Sequence, residues 1–358
     1  MVLMKQERNS LIAIILILVL VTALGVYIIN QTSSSSLNSK DKDMLGRSID
    51  VPSEINRVYS ITASTTVMLY MLAPDKLIGW SAERGDSENQ YMAEKYSNLP
   101  VLGGGKEDAN YEAILSAHPD VVFVGHGRSV EDVDAIQQKC GSIPVVDVEG
   151  DNNITNITAS IRFLGLILGQ DEKAEDLIEI HNNVLKKVQG RVAEIPDSQK
   201  KKVYYARDST GLQSNPSGSS HTQLIDICGG VNVVQVPLAK GSSTVSMEMI
   251  LAANPDVIIA SDPQFYQNIY SDPVWQNVKA VQDKQVYLVP QSPFNWFESP
   301  PGANTILGIA WTAKVLYPDK FSDLDLNNMT RKFYANFYHY NLTDSELSDI
   351  LTSSGLEA

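Results

Sequence analysis

The residues best placed to do chemistry sit in a repeated frame. Residues 110–124 read NYEAILSAHPDVVFV and residues 246–260 read SMEMILAANPDVIIA. An offset of 136 pairs Glu112 with Glu248, Ile114 with Ile250, Leu115 with Leu251, Ala117 with Ala253, Pro119 with Pro255 and Asp120 with Asp256. Each copy reads as a short amphipathic helix, a Pro-Asp break and a run of β-branched residues with the character of a buried strand. Proline halts the helix and aspartate turns the chain. The repeat is either a recurring helix–turn–strand unit of an α/β protein or the mark of two related lobes that carry a glutamate at the same surface position.

A second set of residues falls in loops that follow predicted strands. Arg84 and Tyr91 belong to the first half of the chain; Arg207, His221, Asn295, Trp296 and Phe297 belong to the second. An arginine such as Arg207 pairs with an anionic complex or an oxyanion. An imidazole such as His221 completes a metal's coordination. Trp296 and Phe297 offer flat apolar contact for a macrocycle or a chelate ring. The alternatives are plain: Trp296 as core, His221 as a surface residue at a helix start, Arg84 and Tyr91 as solvated members of the polar loop ERGDSENQYMAEKYS. Nothing here reads as catalytic machinery. No G-x-S-x-G and no H-E-x-x-H occurs, and GSSH at 218–221 sets serine beside histidine only in sequence. GGG at 103–105 lacks the lysine-serine of a phosphate loop and reads as a hinge or turn.

The elements that must position these residues begin after a distinctive N-terminus. Residues 11–29 (LIAIILILVLVTALGVYII) carry no charge, and Lys5 and Arg8 precede them. Roughly 20 residues span a hydrocarbon core. Residues 1–30 are therefore expected to be an uncleaved membrane anchor, with a cleaved signal segment as the rival reading and everything beyond residue 30 outside the cytoplasm. A lipid-modified cysteine is not expected, because the two cysteines are Cys140 and Cys228. Residues 31–43 (QTSSSSLNSKDKD) read as a flexible tether. The formal net charge is −14, and Lys5, Glu7 and Arg8 are the charged residues of the first thirty, so the acidic excess lies beyond them. That excess argues against nucleic acid and anionic lipid surfaces as partners. Sequons begin at Asn30, Asn153, Asn156, Asn328 and Asn341 and would be glycosylation acceptors outside the cell. The cysteines show no metal-ligand spacing.

Beyond the tether, strand and helix alternate. Strands are expected at 57–61, 76–80, 144–148, 202–206 and 285–289 besides the two in the repeat, with helices to about residue 72, near 129–139, over 154–168, near 221–228 and near 302–316. Residues 171–195 place Ala174, Leu177, Ile178, Leu185, Val188, Val192 and Ile195 on one helical face. Gly169 precedes this helix and Pro196 ends it. The reading is an α/β chain with two lobes of mainly parallel sheet, 44–168 and 197–358, joined by a single long spine helix within 169–196. A ligand cleft is expected between the lobes.

This order of motifs resembles the periplasmic binding proteins that serve iron-siderophore, haem and vitamin B12 importers. Over NRVYSITASTTVMLYMLAPDKLIGW, the residues Ser60, Ser64, Thr66, Leu69, Leu72, Asp75, Leu77 and Gly79 keep that family's opening pattern. NYEAILSAHPDVVFV is similar to its N-x-E-x-I-L-A-L-K-P-D-L-V-I. LIDICGGVNVV resembles its L-G-G-x-N stretch, and FNWFESPPGANTILGIAW its W-F-[DE]-R-x-S-P segment. The resemblance spans roughly residues 47–340. Ala63, Val67, Ala73 and Ser299 depart from the pattern, so the opening loop and one edge of the cleft are expected to differ.

The resemblance implies a solute-binding protein of an ABC importer, without enzymatic activity and without a covalently bound cofactor, held at the cell membrane with its soluble part outside. Its partners would be a permease dimer with its ATPase. By the motif, Glu112 and Glu248 occupy the positions that face arginines of the permease. The transported ligand would bear a metal: a siderophore-like iron complex first, then cobalamin or another corrinoid, a nickel chelate, or a molybdate-type oxyanion. A non-transport surface receptor and an extracellular hydrolase are the readings from other classes.

Overall fold

The computed structural model describes residues 40–105, 109–238 and 241–356. The anchor expected at residues 11–29 lies outside them, as does most of the tether. Among the described residues no helix is long and apolar enough to cross a membrane.

Two parallel sheets organise the chain. In the first, β1 (Val58–Ser60), β2 (Val121–Gly125) and β3 (Val145–Val148) lie in the order β1-β2-β3. Val58 stands opposite Val121, and Val122 opposite Val145. In the second, β4 (Lys202–Ala206), β5 (Val231–Asn232), β6 (Val257–Ala260) and β7 (Val286–Leu288) lie in the order β5-β4-β6-β7, again all parallel. The expected α/β class with mainly parallel sheets is what forms. Strands β2, β3 and β6 are buried at every residue, which explains their valine- and isoleucine-rich runs; Asp147 of β3 is the exception. Segment 76–80 differs from expectation: instead of a strand it makes single bridges, Leu77 to Val58 and Trp80 to Val101. The 3-10 turn at Pro74–Lys76 takes the first residue, and the rest divides between two partners, β1 and the stretch 100–102, so no continuous ladder forms.

The repeat is a structural unit with a mechanical purpose. Its helices are α2 (Tyr111–Ser116) and α7 (Met247–Ala253). Asn110 caps the first by accepting from the Ala113 amide, and Ser246 caps the second by accepting from the Met249 amide. Both copies then pass through a left-handed residue at the same place, His118 and Asn254. The aspartates that follow lock each repeat strand to its neighbour. Asp120 Oδ2 accepts from the amides of Asn56 and Arg57 beside β1. Asp256 Oδ2 accepts from the Lys202 amide at the start of β4.

The long helix is α5 (Asp171–Val192), about 33 Å at 1.5 Å per residue. It packs against α4 (Ile157–Leu168) and against α8 (Ile306–Leu316). Ala174, Leu177, Ile178, Val184 and Val188 are buried along it, and so is His181, whose Nε2 lies 2.6 Å from the Ile154 carbonyl. One apolar cluster joins residues of both sheets, from Val58 and Val121 to Ile259 and Trp311, through these helices.

Two further contacts tie the lobes together. Arg84 is sandwiched between Trp80 and Phe294, 4.5 and 4.8 Å from their ring centres. It donates to the carbonyls of Glu88 and, across the lobes at 2.9 Å, Pro293. Tyr70 of α1 (Ala63–Leu72) packs edge-on against Phe294, and its hydroxyl donates to the Tyr338 carbonyl at 2.6 Å.

The tether ends earlier than expected. Asp41 to Ile49 form a small hairpin clamped to the free edge of β3. Lys42 bridges Ser48, and the Ile49 amide donates to the Asp41 carbonyl. Asp43 is buried, accepts from the Arg47 amide and guanidinium, and lies 3.4 Å from the Asp147 amide. Arg47 also reaches the Val145 carbonyl at 3.2 Å. The hairpin thereby covers a strand edge that would otherwise be open to pairing.

Candidate functional site

The polar groups that converge between the lobes come from the carboxyl ends of parallel strands, where open α/β sheets place their ligands. From the first lobe, β2 delivers His126 and β3 delivers Asp151. Asp151 is fully buried. Its Oδ2 accepts from Ser64 at 2.5 Å and Thr65 at 2.8 Å, both in the first turn of α1, and its Oδ1 accepts from the His126 amide at 2.9 Å. Gly125 makes this possible: a Cβ there would stand 2.3 Å from Asp151 Oδ2. His126 Nε2 lies 2.8 Å from Ser64 Oγ. The single Ser64 proton is committed to Asp151, so Nε2 must be the donor of that pair. The Nδ1 nitrogen is left without a hydrogen-bond partner among the described residues.

The second lobe builds a matching device around Glu298, whose side chain is 1% exposed. Its Oε1 accepts from Tyr205 at 2.6 Å and Arg207 at 3.1 Å, and its Oε2 from His221 Nδ1 at 2.5 Å. Arg207 and His221 each keep about a third of their side-chain surface exposed. The arrangement is a buried carboxylate that orients two cationic or neutral donors toward solvent, with Nε2 of His221 free.

The charges of one half are felt in the other. Burial holds the His126 imidazole below its ordinary value; Asp151 opposes that shift, while Arg128 and His221 add to it. The imidazoles of opposite lobes are thus close enough to sense each other. Burial pushes Glu298 upward, but the His221 hydrogen bond, the Arg207 charge and the Tyr205 hydroxyl outweigh it and leave the carboxyl below its usual range. Ser64 is fully buried and donates to the acid rather than to the imidazole, so Ser64, His126 and Asp151 are not wired as a nucleophilic triad.

Of the sequence candidates, Arg207 and His221 reach this cleft. Trp296 and Phe297 do not offer ring faces: both are 0–1% exposed, and Phe297 packs on Tyr205 with ring centres 4.8 Å apart. Trp296 takes the core alternative, against Tyr334. Asn295 is buried as a loop brace, its Oδ1 accepting from the amides of Phe297 and Glu298. That brace aims Glu298. Arg84 is committed to the interlobe clasp. Tyr91 has a left-handed backbone, packs edge-on against Tyr340, and lines a separate cavity of about 270 Å³ with Leu288, Pro290 and Asp349.

Sequence reasoning passed over Ser64 as a ligand-site residue, and over His126, Asp151 and Glu298. A signal existed for His126, which stands two residues beyond a predicted strand. Glu298 stands at the acidic position of the W-F-[DE] motif. Glu112 and Glu248 lie elsewhere, exposed on α2 and α7, and neither has an ion-pair partner among the described residues.

Comparison with known proteins places the chain. The periplasmic binding protein profile matches residues 58–293. The molybdate-binding protein MolA of Haemophilus influenzae is 26% identical over 320 residues, which cover 83% of this chain and 90% of that protein. An ABC transporter solute binding protein from Sulfurospirillum deleyianum superposes with a TM-score of 0.79 at 31% identity, covering 87% and 98% of the two chains. A periplasmic solute binding protein from Veillonella parvula gives 0.73 at 29% identity, covering 87% and 96%. With two parallel-sheet lobes and a polar cleft at their strand ends, the chain belongs to the periplasmic binding protein family and is a solute-binding protein, not an enzyme.

Proposed function

We propose that this solute-binding protein of an ABC importer captures a compact anionic ligand of the molybdate class. The observation that carries the reading is the pair of imidazoles from opposite lobes, His126 and His221, each with one nitrogen held by a buried carboxylate network and the other free, with Arg207 alongside. On a neutral ring each free nitrogen bears a lone pair; it becomes a donor when the imidazole is protonated, and imidazolium donors beside Arg207 suit a small oxyanion. The likeness to MolA supports the same class. Burial of Trp296 and Phe297 removes the flat apolar wall that a corrinoid or haem would use.

A second reading rests on the same free nitrogens. An iron complex of siderophore type, or a nickel chelate, could fill open coordination positions with the two imidazoles and set its negative charge against Arg207. Calorimetry with molybdate, tungstate, sulfate, ferric citrate, a ferric siderophore and cobalamin separates the readings. Tight binding of molybdate or tungstate alone supports the oxyanion, binding of the chelates alone supports the second reading, and binding of cobalamin alone overturns both.

Delivery completes the proposal. Glu112 and Glu248, repeated on capped helices of the two lobes and unpaired, are read as docking carboxylates for a two-fold permease dimer. Residues 11–29 are read as the anchor that keeps the protein beside that permease outside the cytoplasm. N-terminal sequencing of membrane-extracted protein checks the anchor: a mature terminus beyond residue 25 would make the segment a cleaved signal.

A further inference from the structure

The two glutamate helices carry the same charge in different surroundings. On α7, Ile250 is the buried residue, while Glu248, Met249, Leu251 and Ala252 are all exposed, Met249 to 45% and Leu251 to 37%. The equivalent positions of α2 are Glu112, Ala113, Leu115 and Ser116; there Ala113 and Leu115 are both half-buried, and Ala113 packs against the first-lobe core. The second lobe therefore presents a carboxylate without an ion-pair partner among the described residues, held by Ser246 and flanked by the exposed Met249 and Leu251, and the first presents one flanked by smaller or more covered side chains. A charged anchor inside an apolar rim that excludes water is the arrangement from which interfaces draw most of their energy.

We propose that Met249 and Leu251 form an apolar seat around Glu248 for the importer's permease, making the second lobe the stronger of the two docking contacts. The occupant is a permease segment that presents a guanidinium or ammonium flanked by aliphatic side chains. Charge complementarity selects it: the protein is acidic, with a net charge of −14, and Glu248 has no cation of its own among the described residues. The proposal rests on the reading of Glu112 and Glu248 as docking residues, and it goes further by ranking the two sites and naming the apolar contacts that rank them.

The test uses the full-length protein with its permease–ATPase complex in nanodiscs. Four variants are compared for affinity to the complex: Met249→Gln/Leu251→Gln, Ala113→Gln/Leu115→Gln, Glu248→Ala and Glu112→Ala. Ligand calorimetry and melting of each free protein establish that the fold and the cleft are unchanged. Met249→Gln/Leu251→Gln is expected to weaken docking by about tenfold or more and to leave its salt dependence intact, whereas the first-lobe pair changes it by less than about threefold. Glu248→Ala should weaken docking and flatten the salt dependence. If Met249→Gln/Leu251→Gln docks normally while the glutamate variants do not, the apolar seat is wrong and docking through the carboxylates stands. If all four dock normally, the docking reading itself fails. If the double variant alters only self-association of the free protein, the seat belongs to a second copy and the proposal is overturned.

Discussion

At the scale of residues, His126 gives the cleft opposite pH signatures for the two ligand classes. Burial, Arg128 and His221 keep the His126 imidazole below its usual value near 6.5, so it is neutral at pH 7. An oxyanion bound at the free nitrogen favours the imidazolium and raises that value. Oxyanion affinity should then increase as pH falls toward the lowered value of the free imidazole, with proton uptake visible in buffers of different ionisation heat. A chelate ligated by the imidazole lone pair should behave the other way, since protons compete for the same nitrogen. His126→Asn should flatten either profile. Glu298 gives a second prediction. Glu298→Gln removes the buried charge that holds Arg207 and His221. Breaking a buried pair from one side costs on the order of 3–5 kcal/mol, and the partial exposure of both partners puts this site at about 2–3. A lower melting temperature and a loss of ligand affinity of about tenfold or more are expected in the same variant. Sequence revealed the residue types here but not which of them face the cleft. Trp296 and Glu298 are two positions apart in one loop, and which of them lies behind the cleft donors depends on the Asn295 brace and on packing against Tyr334.

At the scale of elements, the repeat was legible because it is local: a capped helix, a left-handed residue and a strand-locking aspartate all lie within fifteen residues of sequence. The Asp41–Ile49 hairpin was not, because its reason lies about a hundred residues away on the edge of β3. That hairpin carries an electrostatic cost. Asp147 is fully buried, and neither of its carboxylate oxygens has a hydrogen-bond partner. Burial, then the neighbouring Glu149, Asp43 and Asp151, push it up to about 8, with Arg47 opposing. The folded protein thus holds a proton at Asp147 that the unfolded chain releases near pH 4. Between those values the native state binds more protons than the unfolded one, so this group makes stability fall as pH rises from about 4 to 8. Asp147→Asn removes the titration while keeping the shape. Thermal melts of the variant should lose this downward slope, and its melting temperature should exceed the parent's most clearly near pH 8. An unchanged slope would mean that Asp147 is already solvated and charged.

At the scale of the whole molecule, the question is how far the lobes can move. The sequence suggested a single stiff helix between them, and α5 is that helix, but it does not act alone. Helices α4 and α8 pack along it, and one apolar cluster runs continuously from the first sheet to the second. On the aromatic side, Arg84 sits between Trp80 of one lobe and Phe294 of the other and donates to Pro293, and Tyr70 reaches the Tyr338 carbonyl. These contacts were invisible in sequence because Arg84 and Pro293 are 209 positions apart. A wide hinge opening would have to expose the Arg84 sandwich and part of the shared core. Each cation–π contact of this kind is worth about 1–2 kcal/mol when desolvated, and the buried aromatic area adds more. The protein should therefore respond to ligand with a small rotation rather than a large closure. Solution scattering with and without the ligand found by calorimetry should show a radius of gyration that changes by less than about 1 Å. Arg84→Ala should lower stability by roughly 2–3 kcal/mol. It should also speed amide exchange in residues 84–91 and 291–297, on both sides of the clasp, with little change around His126. A large ligand-induced drop in radius in the parent would show that the clasp opens in the working cycle, and exchange that rises only in the first lobe would show that Arg84 braces its own loop and does not couple the two.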